Sequence, residues 1–395
     1  MMMKIVHQGI LTLIRSALHD EKLSMPEGFS LQDADSLIRD QSLVPLICFG
    51  LFNCGYDVSD PLVQAYQAWY FKHFTLSDRQ VRTVERICAA FEENGIDYML
   101  LKGCNMKKLY PKQEMRVMGD ADVLIRLEQY EQIKPIMQEL GFEKVKESTY
   151  DFCWKAKALY LELHKRLFDP NQVDLCGYFG TGWEKAHRES GCRFSMTRED
   201  EYVYIFTHMA KHFRHCGIGI RHLVDLYVYH RAYPDMDERQ VEKTLEQLQM
   251  LDFYRNLRRA FRVWFEDAPS DPVTELITEY VFNSGSFGSE KNKLYVEGII
   301  NAAQKKHTGS SRVRSIFREI FFPLDRMQLS YNILYKYPIL YPFFWPVRWV
   351  DILLHRRKNI NMKLQIIRDM TDERMEDHQQ AMNLMGLSLN YMDSD

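Results

Sequence analysis

Residues 119–124 read Gly119-Asp120-Ala121-Asp122-Val123-Leu124, two carboxylates alternating with small and apolar side chains. In an extended strand, side chains two apart point to the same face, so Asp120 and Asp122 converge on one side of a sheet. Upstream, IDYMLLKG at 96–103 is a short apolar run ending in glycine, the pattern of a strand that enters a turn. Between the two, CNMKKLY is expected as a helix and PKQEMR as a loop. Downstream, RLEQYEQIKPIMQEL has apolar residues about one turn apart and stops at Gly141, while ALYLELHKRLF supplies a further strand at about 158–164. The order β-α-β-α followed by more strands predicts a small mixed α/β sheet with helices on a face, spanning residues 94–195.

The flanks read differently. Residues 1–93 are expected to be helical, with ILTLIRSAL and LVQAYQAWYFKHF as one-faced helices, a loop across LICFGLFNCGYDVSDP, and a fresh helix start at Ser77 in SDRQ. Residues 196–395 return to helix. SMTREDEYVYIFTHMAKHF carries a cap at Ser195 or Thr197, and GIGIRHLVDLYVYHRAY and DERQVEKTLEQLQM follow; 283–293 and 305–312 are loops. The expected fold is therefore α/β plus α, a small mixed-sheet domain embedded in a largely helical protein.

Composition narrows the function classes. The chain has 395 residues with 51 basic and 54 acidic side chains, a formal net charge of −3, which excludes a globally basic nucleic-acid coat and gives no confident nucleic-acid partner. Its 46% apolar and 13% aromatic residues supply enough core to exclude disorder throughout. Eight dispersed cysteines with no CxxC pair read as reduced thiols of a cytoplasmic protein. The N-terminal MMMKIVHQGILTLIRSALHD is an amphipathic pattern rather than a secretory signal. In ILYKYPILYPFFWPVRWVDILLH, Lys336, three prolines and Arg348 interrupt the apolar run before a span forms. A packed helical tail is the expectation, with no stable membrane partner and with peripheral membrane or protein contact through 333–355 as the competing reading.

The chemistry starts from the acids. Asp120 and Asp122 on one face, joined by Glu162 from the neighbouring strand Leu161-Glu162-Leu163-His164, give three hard oxygen ligands suited to Mg²⁺, with Mn²⁺ as the alternative ion. An isolated DxD would be read as an exposed edge; the Leu-Lys-Gly turn, the Gly-Asp step and the later acidic strand together make the pattern more specific. Lys102 and Arg116 bring positive charge, and Gly103 permits close backbone approach to phosphate. The plainer readings are a turn glycine and two solvent-facing cations. His164, two residues from Glu162, shares its strand face and reads equally well as an acceptor contact or a hydrogen-bonded structural histidine. His208, Lys211, His212 and His215 share a helical surface, but no HExxH motif is present and Lys211 opposes a bound cation, so zinc is disfavoured. No Walker A loop and no Ser-His-Asp or Cys-His centre can be assembled.

On these residues the chain resembles the nucleotidyltransferase-fold superfamily, and is similar to its uncharacterised bacterial branch of large nucleotidyltransferase-like proteins. The likeness is strongest over 94–170 and continues more loosely through His208, Lys211, His212 and Asp225 to the aromatic tail. It implies that Asp120 and Asp122 are the metal-binding pair, that Glu162 is the third acid, and that Leu101-Lys102-Gly103 enters the active-site turn. The chain departs from better-known members in having LKG instead of a Gly-Ser or Gly-Gly turn, with 120 − 103 = 17 positions from Gly103 to Asp120. By this resemblance Lys102, Gly103, Arg116 and Gly119 would meet nucleotide phosphates. His212, Arg221 and Asp225, on the helical wall of an interdomain cleft, would position substrate or pack the domains. The implied reaction is Mg²⁺-dependent transfer of NMP from an NTP donor to an unidentified acceptor, with release of pyrophosphate. The alternative is a non-catalytic nucleotide-binding or protein-interaction scaffold that retains the fold.

Overall fold

The computed structural model describes residues 4–286, 288–303, 324, 327, 331, 333–351, 365–366, 369 and 371–388. Four helices open the chain: α1 (Ile5–His19), α2 (Leu31–Asp40), α3 (Val44–Asn53) and α4 (Pro61–Glu93). The loop expected across 46–61 is confined to its second half. Residues 44–53 are almost wholly apolar, seven of them are buried, and they fold as α3 with Pro45 in the first turn. The helix start expected at Ser77 is also corrected. Asp60 caps Leu62 and Val63 N–H, Pro61 opens the helix, and no glycine or proline interrupts the next 33 residues, so α4 runs unbroken past Ser77.

A seven-stranded mixed sheet follows, built from β1 (Tyr98–Leu101), β2 (Asp120–Ile125), β3 (Glu143–Glu147), β4 (Asp151–Lys155), β5 (Tyr160–His164), β6 (His187–Ser190) and β7 (Arg193–Ser195). Its order is β3-β4-β5-β2-β1-β7-β6. The β2–β5 and β1–β7 pairs are parallel and the others antiparallel. Both edge strands, EKVKE and HRES, are charged and exposed, which discourages pairing with another chain. Helices α5 (Gly103–Met106), α6 (Tyr130–Glu139) and α7 (Val173–Phe179) lie between the strands.

The period-two pattern sorts the sheet into two cores. Leu100, Ala121, Val123, Ile125, Leu161 and Leu163 pack with Ile87, Phe91 and Ile133 from α4 and α6. Met99, Leu101 and Leu124 face the other way, into a core shared with the N-terminal helices and with α8 (Arg198–Cys216), α9 (Ile220–Ala232), α10 (Glu238–Gln247), α11 (Leu251–Phe265) and α12 (Pro272–Ser284). Thr197, not Ser195, caps α8, accepting from the N–H of Asp200. The protein is thus a small mixed sheet embedded in a largely helical chain.

Beyond α12, residues 285–289 form a turn before α13 (Glu290–Ala303), so the loop expected at 283–293 is shorter than predicted. The loop expected at 305–312 lies outside the described residues, as do 352–355 of the aromatic segment. The described part of that segment is broken into a turn at Ile333–Lys336, a 3-10 stretch at Pro338–Phe343 and a helix at Phe344–Asp351. Its side chains are only partly packed: Ile339 and Phe343 are 83% and 72% exposed, while Tyr341, Phe344 and Trp345 are half-buried. Pro338, Pro342 and Pro346 limit the segment to short turns, which leaves one apolar side uncovered. Among the described residues no helix is long and apolar enough to cross a membrane.

Candidate active site

Register builds the acidic centre. β2 and β5 are parallel and aligned so that Asp122 faces Glu162 and Leu124 faces His164. Because Ala121, Val123, Leu161 and Leu163 are buried on the α4–α6 side, Asp120, Asp122, Glu162 and His164 are forced onto the other face, the one that α8 and α9 approach. Asp122 is buried, with its Oδ1 accepting from Lys102 Nζ at 3.0 Å and lying 2.8 Å from His164 Nε2. His164 Nε2 is also 3.5 Å from Glu162 Oε2. Ligand atoms of Asp122, Glu162 and His164 all come within 4.8 Å of one another. Asp151, Cys153 and Glu162 form a second such group, because β4 pairs with β5 and sets Cys153 opposite Glu162. Asp120 belongs to neither group; it is exposed at the start of β2, on the same face as Asp122.

Electrostatics separate the acids. Burial would raise the Asp122 carboxyl, but the Lys102 ammonium and His164 outweigh it and hold it well below the usual carboxylate range. Glu162 is pushed up to about 7 by burial and by the charge of Asp122. Asp120, exposed as a residue but facing a cavity, is raised in the same sense, by the partial desolvation of its carboxyl and then by Asp122. A face where carboxylates raise one another is one a divalent cation would relieve. The donor set fits such an ion: Lys102 and His164 share Oδ1 of Asp122, and no hydrogen bond among the described residues occupies Oδ2. The nearby imidazole nitrogen makes Mn²⁺ as compatible as Mg²⁺.

A cavity of about 380 Å³ opens between this end of the sheet and α8 and α9. Ten of the residues singled out in the sequence line it: Lys102, Gly103, Arg116, Gly119, Asp120, Asp122, His208, His212, Arg221 and Asp225. Glu162 and His164 lie behind Asp122 and outside the lining. Lys102, at the end of β1, has φ of 39°, a left-handed conformation that costs a lysine energy and is held in place by the ion pair to Asp122. Gly103 leaves room beside Arg116, since a Cβ there would come 3.0 Å from Arg116 Nη1, a contact tight enough to press on the guanidinium. At Gly119 a Cβ would meet nothing within 4 Å, so no packing demands glycine there.

Arg116 is not a solvent-facing cation. It is buried, and its Nε and Nη2 each donate to Asp225 at 2.8 Å, while Tyr110 Oη donates to the same carboxylate at 2.7 Å. Two residues predicted for separate roles thus form one buried ion pair between the β1–β2 connection and α9. Arg221 donates to the Val117 carbonyl at 3.1 Å and lies 3.2 Å from His222 Nε2. His208 and His212 stand one turn apart on α8 with ring centroids 4.8 Å apart, and no three-ligand metal group forms around them among the described residues.

Sequence reasoning missed Asp151, Tyr110, His222 and the buried Lys107, whose Nζ donates to Ser77 Oγ at 2.7 Å and to the Arg116 carbonyl at 2.9 Å. Lys107 stands in the KK pair of CNMKKLY and looks like any surface lysine; only its partners, 30 and 9 positions away, reveal it. His222 had a visible signal, its place beside Arg221 in RHLVD.

A mixed sheet carrying an acidic DxD strand, a parallel partner with a third acid, and a helical wall across a cleft is the architecture of the nucleotidyltransferase-fold superfamily. Residues 28–266 match the family described as uncharacterised nucleotidyltransferase, and the chain belongs to that family. A solved structure of the antibiotic-resistance factor ANT(2'')-Ia is similar over 49% of this chain and 100% of its own, at 15% identity and a TM-score of 0.32. No curated protein matches the chain.

Proposed function

We propose that this protein transfers NMP from an NTP to an acceptor, with Mg²⁺ held by Asp120, Asp122 and Glu162. The observation that carries the reading is the parallel register of β2 and β5, which sets Glu162 directly beside Asp122, the acid that lines the cleft. When bound, the ion neutralises phosphate oxygens and polarises the α-phosphorus. The acceptor oxygen forms the new bond to that phosphorus as its bond to the bridging oxygen breaks, and pyrophosphate leaves with that electron pair.

The chain's own residues have separable tasks. Lys102, set by its strained backbone, keeps Asp122 ionised and offers positive charge beside the donor's phosphates. Gly103 keeps the turn low enough for a ligand to approach Arg116 Nη1 and the adjacent backbone. Glu162, its carboxyl pushed up to about 7 in the ion-free protein, would complete the ion's ligand set or instead take the acceptor's proton, and His164 orients both acids through the nitrogen it shares between them. The Arg116–Asp225 pair positions the wall that faces them.

Calorimetry of NTP binding with and without Mg²⁺ tests this reading, using wild type beside an Asp120→Asn, Asp122→Asn variant. Binding that needs the ion and is lost in the variant supports it; no binding of any of the four NTPs removes the donor-first reaction. One observation favours the scaffold reading instead: Lys102 already neutralises Asp122. Under that reading NTP binds equally well without Mg²⁺.

A further inference from the structure

The cavity has two chemically different walls. Asp120 and Asp122 line the sheet side, while α8 presents His208 and His212 and α9 presents Arg221. The two imidazoles are half-buried, sit 4.8 Å apart between ring centroids, and have no hydrogen-bond partner among the described residues. Half-buried imidazoles that line a cavity without a protein partner are free to bond a ligand in place of solvent. Burial, then the neighbouring Lys102 and His212, hold His208 well below its ordinary value, and burial with Lys211 and Lys102 pushes His212 down to about 4. Basic groups crowded in this way are relieved by an anion, which accepts from both rings and restores their protons.

The donor's phosphates, in the reading above, sit against the sheet wall beside the acids, Lys102 and Gly103. That leaves the helix wall to the second substrate. We propose that His208, His212 and Arg221 seat an anionic group of the acceptor, a phosphate monoester or a carboxylate, and turn the acceptor's hydroxyl toward Asp122 and Glu162. This rests on the nucleotidyl-transfer reading, and it narrows the acceptor from any hydroxyl compound to an anionic one.

The test titrates the full chain, saturated with Mg²⁺ and an α,β-methylene NTP, with inorganic phosphate and separately with acetate. Phosphate or acetate should bind the donor-loaded protein, and the stronger of the two tells the monoester from the carboxylate. His208→Gln with His212→Gln should weaken that binding by roughly tenfold or more, and His212→Lys, which supplies a fixed charge, should retain or tighten it. Binding of either anion only when the NTP analogue is absent overturns the proposal, because the wall then seats the donor's own phosphates. Binding indifferent to all these substitutions, or absent altogether, also overturns it. If the analogue itself fails to bind, the nucleotidyl-transfer reading falls. The same titration of the analogue-free chain and its variants then still decides whether this wall takes an anion.

Discussion

Arg116 and Asp225, 109 positions apart, close a two-pronged ion pair with both hydrogen bonds at 2.8 Å, buried at the back of the cleft. It ties the β1–β2 connection to α9, and therefore fixes the distance between the acidic strand and the helix wall. Breaking one side leaves an uncompensated charge in a dry site. Arg116→Ala is expected to cost about 3–5 kcal/mol in urea unfolding, whereas Arg116→Met combined with Asp225→Leu costs much less. A single variant as stable as wild type would show that the pair does not hold the wall.

The acids should not contribute equally. Asp122 is buried, bonded to Lys102 and His164, and grouped with Glu162, whereas Asp120 is exposed and outside both ligand groups. Mg²⁺-dependent NTP affinity, measured by calorimetry on single variants, should fall further in Asp122→Asn than in Asp120→Asn. Equal losses would mean that ligand binding draws Asp120 fully into the cluster.

Glu162 gives the metal-free protein a pH signature. Its carboxyl is raised from an ordinary 4.5 to about 7, so the folded chain holds a proton that the unfolded chain has released between those values. Folding takes up a proton there, so the contribution of Glu162 to stability falls as pH rises from about 4.5 to about 7, against the opposite contribution of the lowered histidines, among them His208 and His212. Asp122 works in the opposite sense but below this window, since its lowered carboxyl loses its contribution only as pH falls under its ordinary range. The melting temperature of wild type measured against Glu162→Gln should drop across the window by several degrees, at ~2–4 °C per kcal/mol. Mg²⁺ should reduce that relative drop. A difference that does not change with pH would assign the proton elsewhere.

Lys107 is pushed down to about 8 by burial and by Arg116. Its charge therefore destabilises the fold in full below about pH 8, and that burden lifts as pH rises toward the ordinary 10.5. Ser77 accepts one of its protons, so Ser77→Ala is expected to cost about 1–3 kcal/mol at neutral pH. The cost should shrink at about pH 9.5, where the folded lysine is neutral. Chemical denaturation at the two pH values checks this; an equal cost at both would mean that Ser77 matters only for packing in α4.

What could be read in advance was local. The alternation of Asp120, Ala121, Asp122 and Val123 defines β2 and its acidic face without reference to any other strand, and the caps at Thr197 and Gly141 mark helix ends from neighbours within a few residues. The edge strands Glu143–Glu147 and His187–Ser190 carry no apolar alternation, because both their faces meet solvent, and so leave no periodic trace. Ser77 looked like a cap because its residue type is right; only the absence of any break from Pro61 to Glu93 says otherwise. Arg116 and Asp225 were each visible as charged residues near a site. Their union depends on packing between distant segments, which spacing alone does not encode.

The parallel pairing of β2 with β5 also says something about when the site comes into being. Parallel neighbours cannot be joined by a tight turn, so the chain must lay down α6 and the β3–β4 hairpin before Glu162 can reach Asp122. A partly folded species that lacks β5 lacks the third acid. The pairing of Asp122 with Glu162 therefore waits on β5, and divalent-ion binding that needs both acids would mark the arrival of that strand during refolding.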